Sequence, residues 1–170
     1  MIIATAGHVD HGKTKLIEAI TGVNSDRLPE EKNRGMSIDL GFAYHDLGNG
    51  VILNFIDVPG HERFINNLLS GFSNVDLSLL VIAADDGPMP QTEEHLSILQ
   101  LLQVKNCIIV LTKIDKVNQK RLDNVCCLIK KMMHKTIFSD AEIFHISNKT
   151  SQGIDNLVSH LNCLLYTSPS

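Results

Sequence analysis

Short runs of consecutive apolar residues recur along the chain, separated by longer stretches of mixed polarity. An uninterrupted apolar run of this length is typical of a strand buried on both faces of a parallel sheet. The runs predicted as such strands are residues 2–6, 77–84 and 107–111, and residues 142–146 are predicted as the last strand. Two further strand-like runs, 41–46 and 51–56, are joined by Gly48, Asn49 and Gly50, which predicts a hairpin. One antiparallel strand is therefore expected at the edge of the sheet.

The stretches between these runs carry apolar residues at the three- and four-residue spacing of amphipathic helices. Helices are expected over residues 15–20, over 63–71 and from Gln91 onward. Two more are expected later in the chain, with core faces formed by Leu122, Val125, Ile129, Met132 and Met133 in the first and by Ile154, Leu157, Val158, Leu161 and Leu164 in the second. This alternation predicts an α/β fold, a doubly wound and mostly parallel sheet with right-handed crossovers.

Length and composition indicate one soluble globular domain. The 170 residues suit a single sizeable core, and 44% apolar with 20% charged residues is usual for such a domain. The formal charge of −4 offers no basic face for non-specific nucleic-acid binding. No apolar run approaches the roughly 18 residues of a membrane span, and no basic leader precedes the first strand. We therefore expect a cytoplasmic, monomeric protein with no membrane partner.

The cysteines do not form a recognisable metal or disulfide pattern. They contain no Cys-x-x-Cys pair, and the adjacent Cys126 and Cys127 do not suit a simple disulfide. Cys107 falls in a predicted strand and Cys126 in a predicted helix. We interpret these two, with Cys127 and Cys163, as buried thiols of a cytoplasmic protein and do not expect a metal site among them.

A candidate phosphate-binding loop, Gly-His-Val-Asp-His-Gly-Lys-Thr, occupies residues 7–14 between the first strand and the first helix. It fits G-x-x-x-x-G-K-[ST], a loop whose backbone N–H groups surround phosphate oxygens at a helix N-terminus. Lys13 is expected to reach the β- and γ-phosphates, and the Thr14 hydroxyl to bind Mg²⁺. A glycine-bearing turn with an exposed lysine is the alternative, but the strand–loop–helix setting favours the phosphate site. The nucleotide contacts predicted here are His8, Val9, Asp10, His11, Gly12, Lys13, Thr14 and Lys15.

A second motif, Asp57-x-x-Gly60, follows the predicted strand 51–56, and His61 comes next. A carboxylate at a strand end can bind Mg²⁺ through water, and the Gly60 N–H can bind the γ-phosphate. Such a turn is common on its own, but at this distance from a phosphate loop it favours a nucleotide site. A histidine in a loop is usually only solvated; here we favour positioning of an attacking water by His61.

Residues 21–37 form a long polar stretch that contains glycine and proline and has no strong periodicity. Loops of this length in compact domains are usually functional or disordered. One interpretation is a flexible surface loop. The other, which we favour, is a switch that closes over the γ-phosphate and brings the Ser37 hydroxyl to Mg²⁺.

Two further motifs fit the recognition of guanine. Asp115, shortly after the strand 107–111, can accept hydrogens from guanine N1 and the exocyclic amine, while the stem of Lys113 covers the base. The loop after the last strand can donate a backbone N–H to guanine O6. An ordinary charged loop is the alternative in each case. The predicted base contacts are Thr112, Lys113, Asp115, Ser147, Asn148 and Lys149.

Each of these motifs follows a predicted strand, apart from the proposed switch. Ligands of doubly wound sheets bind outside the carboxyl ends of the strands. We therefore expect the phosphate loop, the Asp57 turn and the base motifs to lie at one edge of the sheet and to form one shared site.

Residues 7–14 and 57–62, with Pro88-Met89-Pro90-Gln91-Thr92 and Glu94-His95, resemble the GTPase domain of elongation factor Tu-like translation factors. The resemblance implies a Ras-like P-loop GTPase over residues 1–164 that hydrolyses GTP to GDP and phosphate. It implies that Mg²⁺ is bound by Thr14, Ser37 and, through water, Asp57. It also assigns catalysis to His61 and Lys13, an apolar gate to Val9 and Met36, and a monovalent cation to the neighbourhood of Asp10.

Within that family, residues 1–6, 22–32, 34–42 and 112–115 are most similar to the bacterial selenocysteine-specific elongation factors. The resemblance implies delivery of selenocysteyl-tRNA to a ribosome that stimulates hydrolysis. It also implies binding of a messenger-RNA insertion element through domains that are missing here. The alternatives are another elongation factor Tu-like or initiation-factor GTPase, or a nucleotide-sensing binding module with little turnover.

Three features depart from the family pattern. Ser37 stands where Thr is usual, which keeps the hydroxyl and loses the methyl group. Thr112 stands where the base motif usually begins with Asn, so the contacts of that amide are in question. Residues 165–170 do not resemble the family's next strand, and we interpret them as a non-native or truncated tail, such as a translated sequencing adapter.

Overall fold

The computed structural model describes residues 1–25, 40–48, 50–59 and 75–167 of the chain. The strands in these ranges are β1 Ile2–Ala6, β2 Gly41–Asp46, β3 Ile52–Asp57, β4 Leu77–Ala83, β5 Asn106–Thr112 and β6 Ile143–His145. They form one sheet in the order β2-β3-β1-β4-β5-β6. Within it β2 pairs antiparallel with β3, and the other neighbouring strands pair in parallel. The predicted α/β class, the mostly parallel sheet and the antiparallel edge strand are confirmed.

The helices in the described ranges are α1 Lys13–Thr21, α2 Pro90–Leu101, α3 Gln119–Met133 and α4 Ile154–Thr167, with a 3₁₀ turn at Ile114–Lys116. α1 ends at Gly22, whose left-handed backbone lets its N–H bond to the Glu18 carbonyl. The Asn118 side chain caps α3 by accepting the Arg121 N–H at 2.9 Å. The helix predicted over 63–71 lies outside the described residues. Within them, no helix combines the length and the apolar character needed to cross a bilayer.

Helices cover both faces of the sheet. α1 and α4 pack on one face, where Leu16 and Leu157 are buried against strand side chains. α2 and α3 pack on the other, where Leu99 and Val125 are buried. Full burial of such an aliphatic side chain stabilises a fold by about 1.5–3 kcal/mol. Because both faces are covered, β4 is buried along its whole length, which explains why its sequence is apolar except for Ser78.

The parallel order brings the carboxyl ends of the strands to one edge. β1 runs into Gly7, β3 ends at Asp57, β5 ends at Thr112, and Ser147 follows β6. The Ala84 N–H, just after β4, donates to the Thr112 carbonyl at 2.9 Å and ties two of these ends together. The expectation of one shared edge is confirmed for the motif residues that the structure describes.

The expectation that the cysteines are all buried is wrong. Cys107 in β5 is buried, and burial raises the pKa of its thiol to about 12. Cys126 is half-buried, whereas Cys127 and Cys163 are exposed. The reason is helical geometry, since Cys127 follows the core residue Val125 by two positions and therefore points away from the sheet. All four are free thiols.

The connection from β6 to α4 contains a position that only glycine fits. Gly153 has a φ of 81°, and a Cβ there would lie 2.2 Å from the carbonyl oxygen of His145. The Ser147 N–H donates to the Gln152 carbonyl at 3.1 Å and closes the loop. This turn therefore fixes the loop that carries Ser147 against the end of β6.

Gly153→Ala should destabilise the fold more than Gly22→Ala. Both glycines have positive φ, 81° and 73°, but a Cβ on Gly22 would meet nothing within 4 Å. We expect G22A to cost about 1 kcal/mol from backbone strain alone. G153A should cost about 2 kcal/mol more, because the His145 carbonyl must also move. Urea denaturation of both variants and the wild type measures the difference, and equal losses would contradict this account of the turn.

Candidate functional site

The phosphate loop, residues 7–14, wraps around the amine of Lys13. Lys13 Nζ donates to the Gly7 carbonyl at 3.0 Å and to the His8 carbonyl at 2.8 Å. Gly7 has a φ of 128°, and a Cβ there would lie 2.2 Å from the carbonyl oxygen of Val81 in β4. Only glycine can therefore begin the loop at this distance from the neighbouring strand.

The loop ends in the first turn of α1. Gly12 precedes the helix with a φ of 90°, and Asp10 also has a positive φ, of 65°. The N–H groups of a helix N-terminus concentrate positive potential, which suits an anion. The side chains of the loop differ in exposure: His11 is buried, His8 and Val9 are half-buried, and Asp10 is exposed. Lys15 is exposed and pairs with Glu18 at 2.7 Å.

Lys13 is a buried cation. Its side chain is 6% exposed. Burial lowers its pKa, and the carboxylates of Asp57 and Asp10 offset part of that decrease. The resulting pKa is about 8. An anion bound in the loop would favour the charged form of the amine. Lys13 is therefore suited to binding a phosphate group.

A buried carboxylate joins the phosphate loop to β3. Asp57 is 1% exposed, and its Oδ1 accepts the Thr5 hydroxyl at 3.0 Å. Its Oδ2 accepts the hydroxyls of Thr14 at 2.6 Å and Ser25 at 2.7 Å. Such donors offset much of the desolvation of a buried carboxylate. Gly41 lies against the same group, because a Cβ there would come within 2.7 Å of Ser25 Cβ. The predicted metal ligands Thr14 and Asp57 are thus in direct contact.

Two side chains from the far half of the chain hold the phosphate loop from the other side. The Thr112 hydroxyl donates to the His11 carbonyl at 2.6 Å, and Asn148 Nδ2 donates to the Gly12 carbonyl at 3.3 Å. Thr112 stands where the motif usually begins with Asn, and its hydroxyl makes this loop contact. The base motif and the phosphate loop therefore form one hydrogen-bonded unit.

The carboxylate of the base motif is held by the loop after β6. Ser147 Oγ donates to Asp115 Oδ1 at 2.6 Å, and this hydrogen bond is the main reason that the pKa of Asp115 lies below its ordinary value. Ser147 Oγ also accepts the Thr150 N–H at 3.2 Å. Asp115 and Lys149 are exposed. The carboxylate is therefore ionised, oriented and open to a ligand.

An acidic turn after β4, which the predicted motifs do not include, contacts the base motif. Lys113 Nζ lies 3.6 Å from Asp85 Oδ1 and 3.8 Å from Asp86 Oδ2. Partial burial raises the pKa of Asp85, but Lys113 and Lys116 outweigh it and hold that pKa below its ordinary value. Arg121 donates to three consecutive carbonyls of the turn and fixes it. The two aspartates follow a buried strand, a signal that could have identified them; Arg121 has no comparable local signal.

Four predicted site residues lie outside the described residues: Met36, Ser37, Gly60 and His61. Their roles stay predictions. Within the described ranges, no cluster of three or more His, Cys, Asp or Glu side chains could hold a metal ion. A magnesium ion is compatible with this finding, because Mg²⁺ usually relies on one or two protein oxygens together with phosphate and water.

The fold and the site together define a class of protein. A doubly wound sheet with a phosphate loop after β1, a buried carboxylate at the end of β3 and a base motif after β5 is the arrangement of a P-loop nucleoside triphosphatase. The family model of the elongation factor Tu GTP-binding domain matches residues 1–167, and the chain belongs to that family. Family membership implies that the chain binds and hydrolyses GTP.

Comparison with individual relatives shows which members of this family the chain resembles. The selenocysteine-specific elongation factor of Escherichia coli (strain K12) is 53% identical over 161 residues, which cover 95% of this chain and 26% of that protein. The crystal structure of the bacterial selenocysteine-specific elongation factor EF-Sec matches with a TM-score of 0.93 and 44% identity, over 99% of this chain and 29% of that one. Elongation factor SelB from Methanococcus maripaludis, in complex with the GTP analogue GPPNHP, matches with a TM-score of 0.85 and 29% identity, over 100% of this chain and 34% of that one. The chain therefore spans between a quarter and a third of these relatives.

Thr112→Val should weaken nucleotide binding, whereas Thr112→Ser should preserve it. Valine keeps the shape but removes the hydroxyl that donates to the buried His11 carbonyl. An unsatisfied buried acceptor costs about 1–3 kcal/mol, so we expect T112V to bind GDP roughly tenfold more weakly. Serine loses only a methyl group and keeps the loop in place. Calorimetric titration of GDP into both variants and the wild type is the measurement, and wild-type affinity in T112V would contradict this role.

Proposed function

We propose that the chain binds GTP with Mg²⁺ at this sheet edge and hydrolyses it to GDP and phosphate, as the GTPase domain of a selenocysteine-specific elongation factor. The observation that carries the proposal is the direct hydrogen bonding of Thr112 and Asn148 to the phosphate loop. These bonds place the base motif and the phosphate loop side by side. In a guanine nucleotide, Lys13 suits the phosphates and Asp115 suits the hydrogen-bonding edge of the base.

The phosphate end of the site depends on Lys13 and the backbone of its loop. The buried amine, at the positive end of α1, donates to the carbonyl oxygens of Gly7 and His8. A triphosphate supplies the anionic oxygens that such a cation favours. We assign the β- and γ-phosphates to Lys13 and the loop N–H groups, and we assign a further γ-phosphate contact to Gly60.

The donor set beside Lys13 fits a magnesium ion. Thr14 and Asp57 present a hydroxyl oxygen and a carboxylate oxygen 2.6 Å apart, and hard oxygen ligands are those that Mg²⁺ prefers. We assign Thr14 as a direct ligand, Asp57 as a ligand through water, and Ser37 as a third. When bound, the ion supplies positive charge that stabilises the phosphate oxygens.

The part of the site around Asp115 fits guanine. Asp115 is ionised and exposed, and one of its oxygens accepts a hydrogen bond from Ser147, which fixes the orientation of the carboxylate. In this orientation it can accept hydrogen bonds from two neighbouring donors of a ligand. Guanine presents such a pair in its N1–H and exocyclic amine, whereas adenine does not. The Lys113 stem is assigned to one face of the base, and the backbone of the loop that contains Asn148 and Lys149 to guanine O6.

Catalysis in this proposal is mainly positioning and charge stabilisation. A water attacks the γ-phosphate in line, Lys13 stabilises charge on the phosphate oxygens, and His61 orients the water. We assign Val9, which is half-buried in the phosphate loop, to an apolar gate with Met36. We assign a monovalent cation to the neighbourhood of Asp10, which is exposed in the same loop. The isolated domain should hydrolyse GTP slowly, because the ribosome supplies the final arrangement.

The wider function follows from the relatives named above, of which this chain matches only a part. We propose that the full-length protein delivers selenocysteyl-tRNA to the ribosome. Contacts with that tRNA and with a messenger-RNA insertion element belong to domains outside this chain. The charge of −4 supports this division, because it provides no general attraction for RNA.

Asp115→Asn should change the preferred nucleotide from GTP to xanthosine triphosphate. The carboxamide donates a hydrogen where the carboxylate only accepts, and xanthine has a carbonyl where guanine has its exocyclic amine. Loss of a charge-assisted pair of hydrogen bonds should weaken GTP binding on the order of 10²-fold. Competition binding with both nucleotides is the measurement.

Asp123→Asn is the matched control for this change. Asp123 is an exposed carboxylate on α3 that accepts a hydrogen bond from Gln119 at 2.8 Å and lies outside the proposed site. D123N should bind both nucleotides as the wild type does. If D115N still prefers GTP, Asp115 does not recognise the guanine base.

His61→Ala should slow hydrolysis on the ribosome without changing GTP affinity. The basis is its place directly after Asp57-x-x-Gly60. Loss of a positioned catalytic group typically lowers a rate by about 10²–10⁴-fold. Single-turnover hydrolysis by the full-length factor, with and without ribosomes, is the measurement. The control is His134→Asn, at an exposed position directly after α3. An unchanged rate in H61A would remove His61 from the mechanism.

A further inference from the structure

A buried histidine in α2 contacts the first residue of the phosphate loop. His95 Nδ1 accepts the Gly7 N–H at 2.9 Å, across 88 positions of sequence. His95 is 2% exposed, so water does not compete for this hydrogen bond. None of the roles assigned above to the site residues uses this contact.

Gly7 is therefore held on both sides of its Cα. His95 binds the N–H of the peptide before it, and Lys13 Nζ binds the carbonyl of the peptide after it at 3.0 Å. The carbonyl of Val81 leaves no room for a Cβ. Rotation about either backbone bond of Gly7 would break one of the two hydrogen bonds, so the pair fixes its φ of 128°.

The hydrogen bond defines the state of the imidazole. An Nδ1 that accepts a hydrogen carries no proton, so a neutral ring must carry its proton on Nε2. Burial lowers the pKa of His95, the neighbouring Lys13 and His8 lower it in the same direction, and together they bring it to about 4. The ring is therefore neutral at physiological pH and keeps the acceptor that Gly7 requires.

We propose that His95 is a positioning residue for nucleotide binding: its neutral imidazole accepts the Gly7 amide hydrogen and holds the entry of the phosphate loop in the binding conformation. The inference rests on the proposed function, because it assigns His95 a part in forming the phosphate site. His95 touches no reacting group; it acts through Gly7 and, beyond it, through the loop around Lys13.

A packing role is the competing explanation. His95 lies on the buried side of α2, next to Leu96 and one turn before Leu99, both of which belong to the core. If the ring served only to fill space, its replacement would lower the stability of the fold and leave the loop geometry intact. The position of the acceptor atom separates the two roles.

The pair His95→Asn and His95→Gln tests the position of that atom. The side-chain oxygen of asparagine can occupy the place of Nδ1, whereas glutamine carries its amide one bond further, near the place of Nε2. We expect H95N to bind GDP and a non-hydrolysable GTP analogue within about threefold of the wild type. H95Q should bind both about tenfold more weakly, the range that an unsatisfied buried donor produces. Equal affinities in H95N and H95Q would overturn the proposal.

Nuclear magnetic resonance of the nucleotide-free wild type supplies a readout that does not depend on GTP. In ¹⁵N-histidine-labelled protein, His95 should show an unprotonated Nδ1 and a protonated Nε2 down to about pH 5. The Gly7 amide proton should resonate downfield, keep its position in H95N and move in H95Q. A protonated Nδ1 at pH 7 would overturn the inference. If the nitrogen and Gly7 signals are as expected but the wild type binds no guanine nucleotide, the proposed function fails and with it the assigned role, while the Gly7 contact stands.

Discussion

The buried carboxylate of Asp57 imposes the constraint on which the rest of the site depends. An ionised carboxylate away from water is strongly destabilising unless hydrogen-bond donors surround it. Here Thr5 from β1, Thr14 from α1 and Ser25 from the segment after α1 all donate to it. These hydroxyls fix the first helix, the end of β3 and Ser25 relative to one another. Two members of this cluster, the Thr14 hydroxyl and the Asp57 carboxylate, are oxygen ligands of the kind that Mg²⁺ prefers, so one cluster accounts for both local stability and part of the proposed metal site.

The phosphate loop is held by groups from three further parts of the chain. Thr112 and Asn148 bind the carbonyls of His11 and Gly12, and His95 binds the amide of Gly7. Each of these groups lies at or near the carboxyl end of a strand or in a covering helix, because the parallel order of the sheet brings those ends together. Contacts within the protein therefore support the curved form of the loop, which lowers the free energy that binding must supply to order it.

Most of the fold could be predicted from the sequence, because buried parallel strands need uninterrupted apolar runs and the helices keep a regular apolar face. The site residues with local motifs could be predicted for a similar reason, since each follows a strand. Contacts between distant residues could not. Nothing near Thr112 in sequence indicates that its hydroxyl binds the loop at His11, 101 positions away, and nothing near Arg121 indicates that it fixes the turn at Asp85. The exposure of Cys127 was predictable from its helical phase, because it lies two positions after the core residue Val125, but the interpretation of the four cysteines as buried thiols did not use that phase.

We propose that one edge of this sheet is a guanine-nucleotide site. In it Lys13 binds the phosphates, Thr14 and Asp57 hold the magnesium ion beside them, and Asp115 binds the base. The most direct test is calorimetric titration of the wild-type chain with a non-hydrolysable GTP analogue and with the matching ATP analogue. Each titration is done once with Mg²⁺ and once with a chelator in its place. We expect the guanine nucleotide to bind at least on the order of 10²-fold more tightly than the adenine nucleotide, since adenine leaves the Asp115 carboxylate unpaired. We also expect removal of Mg²⁺ to weaken binding of the guanine nucleotide. Equal affinity for the two nucleotides would contradict the account.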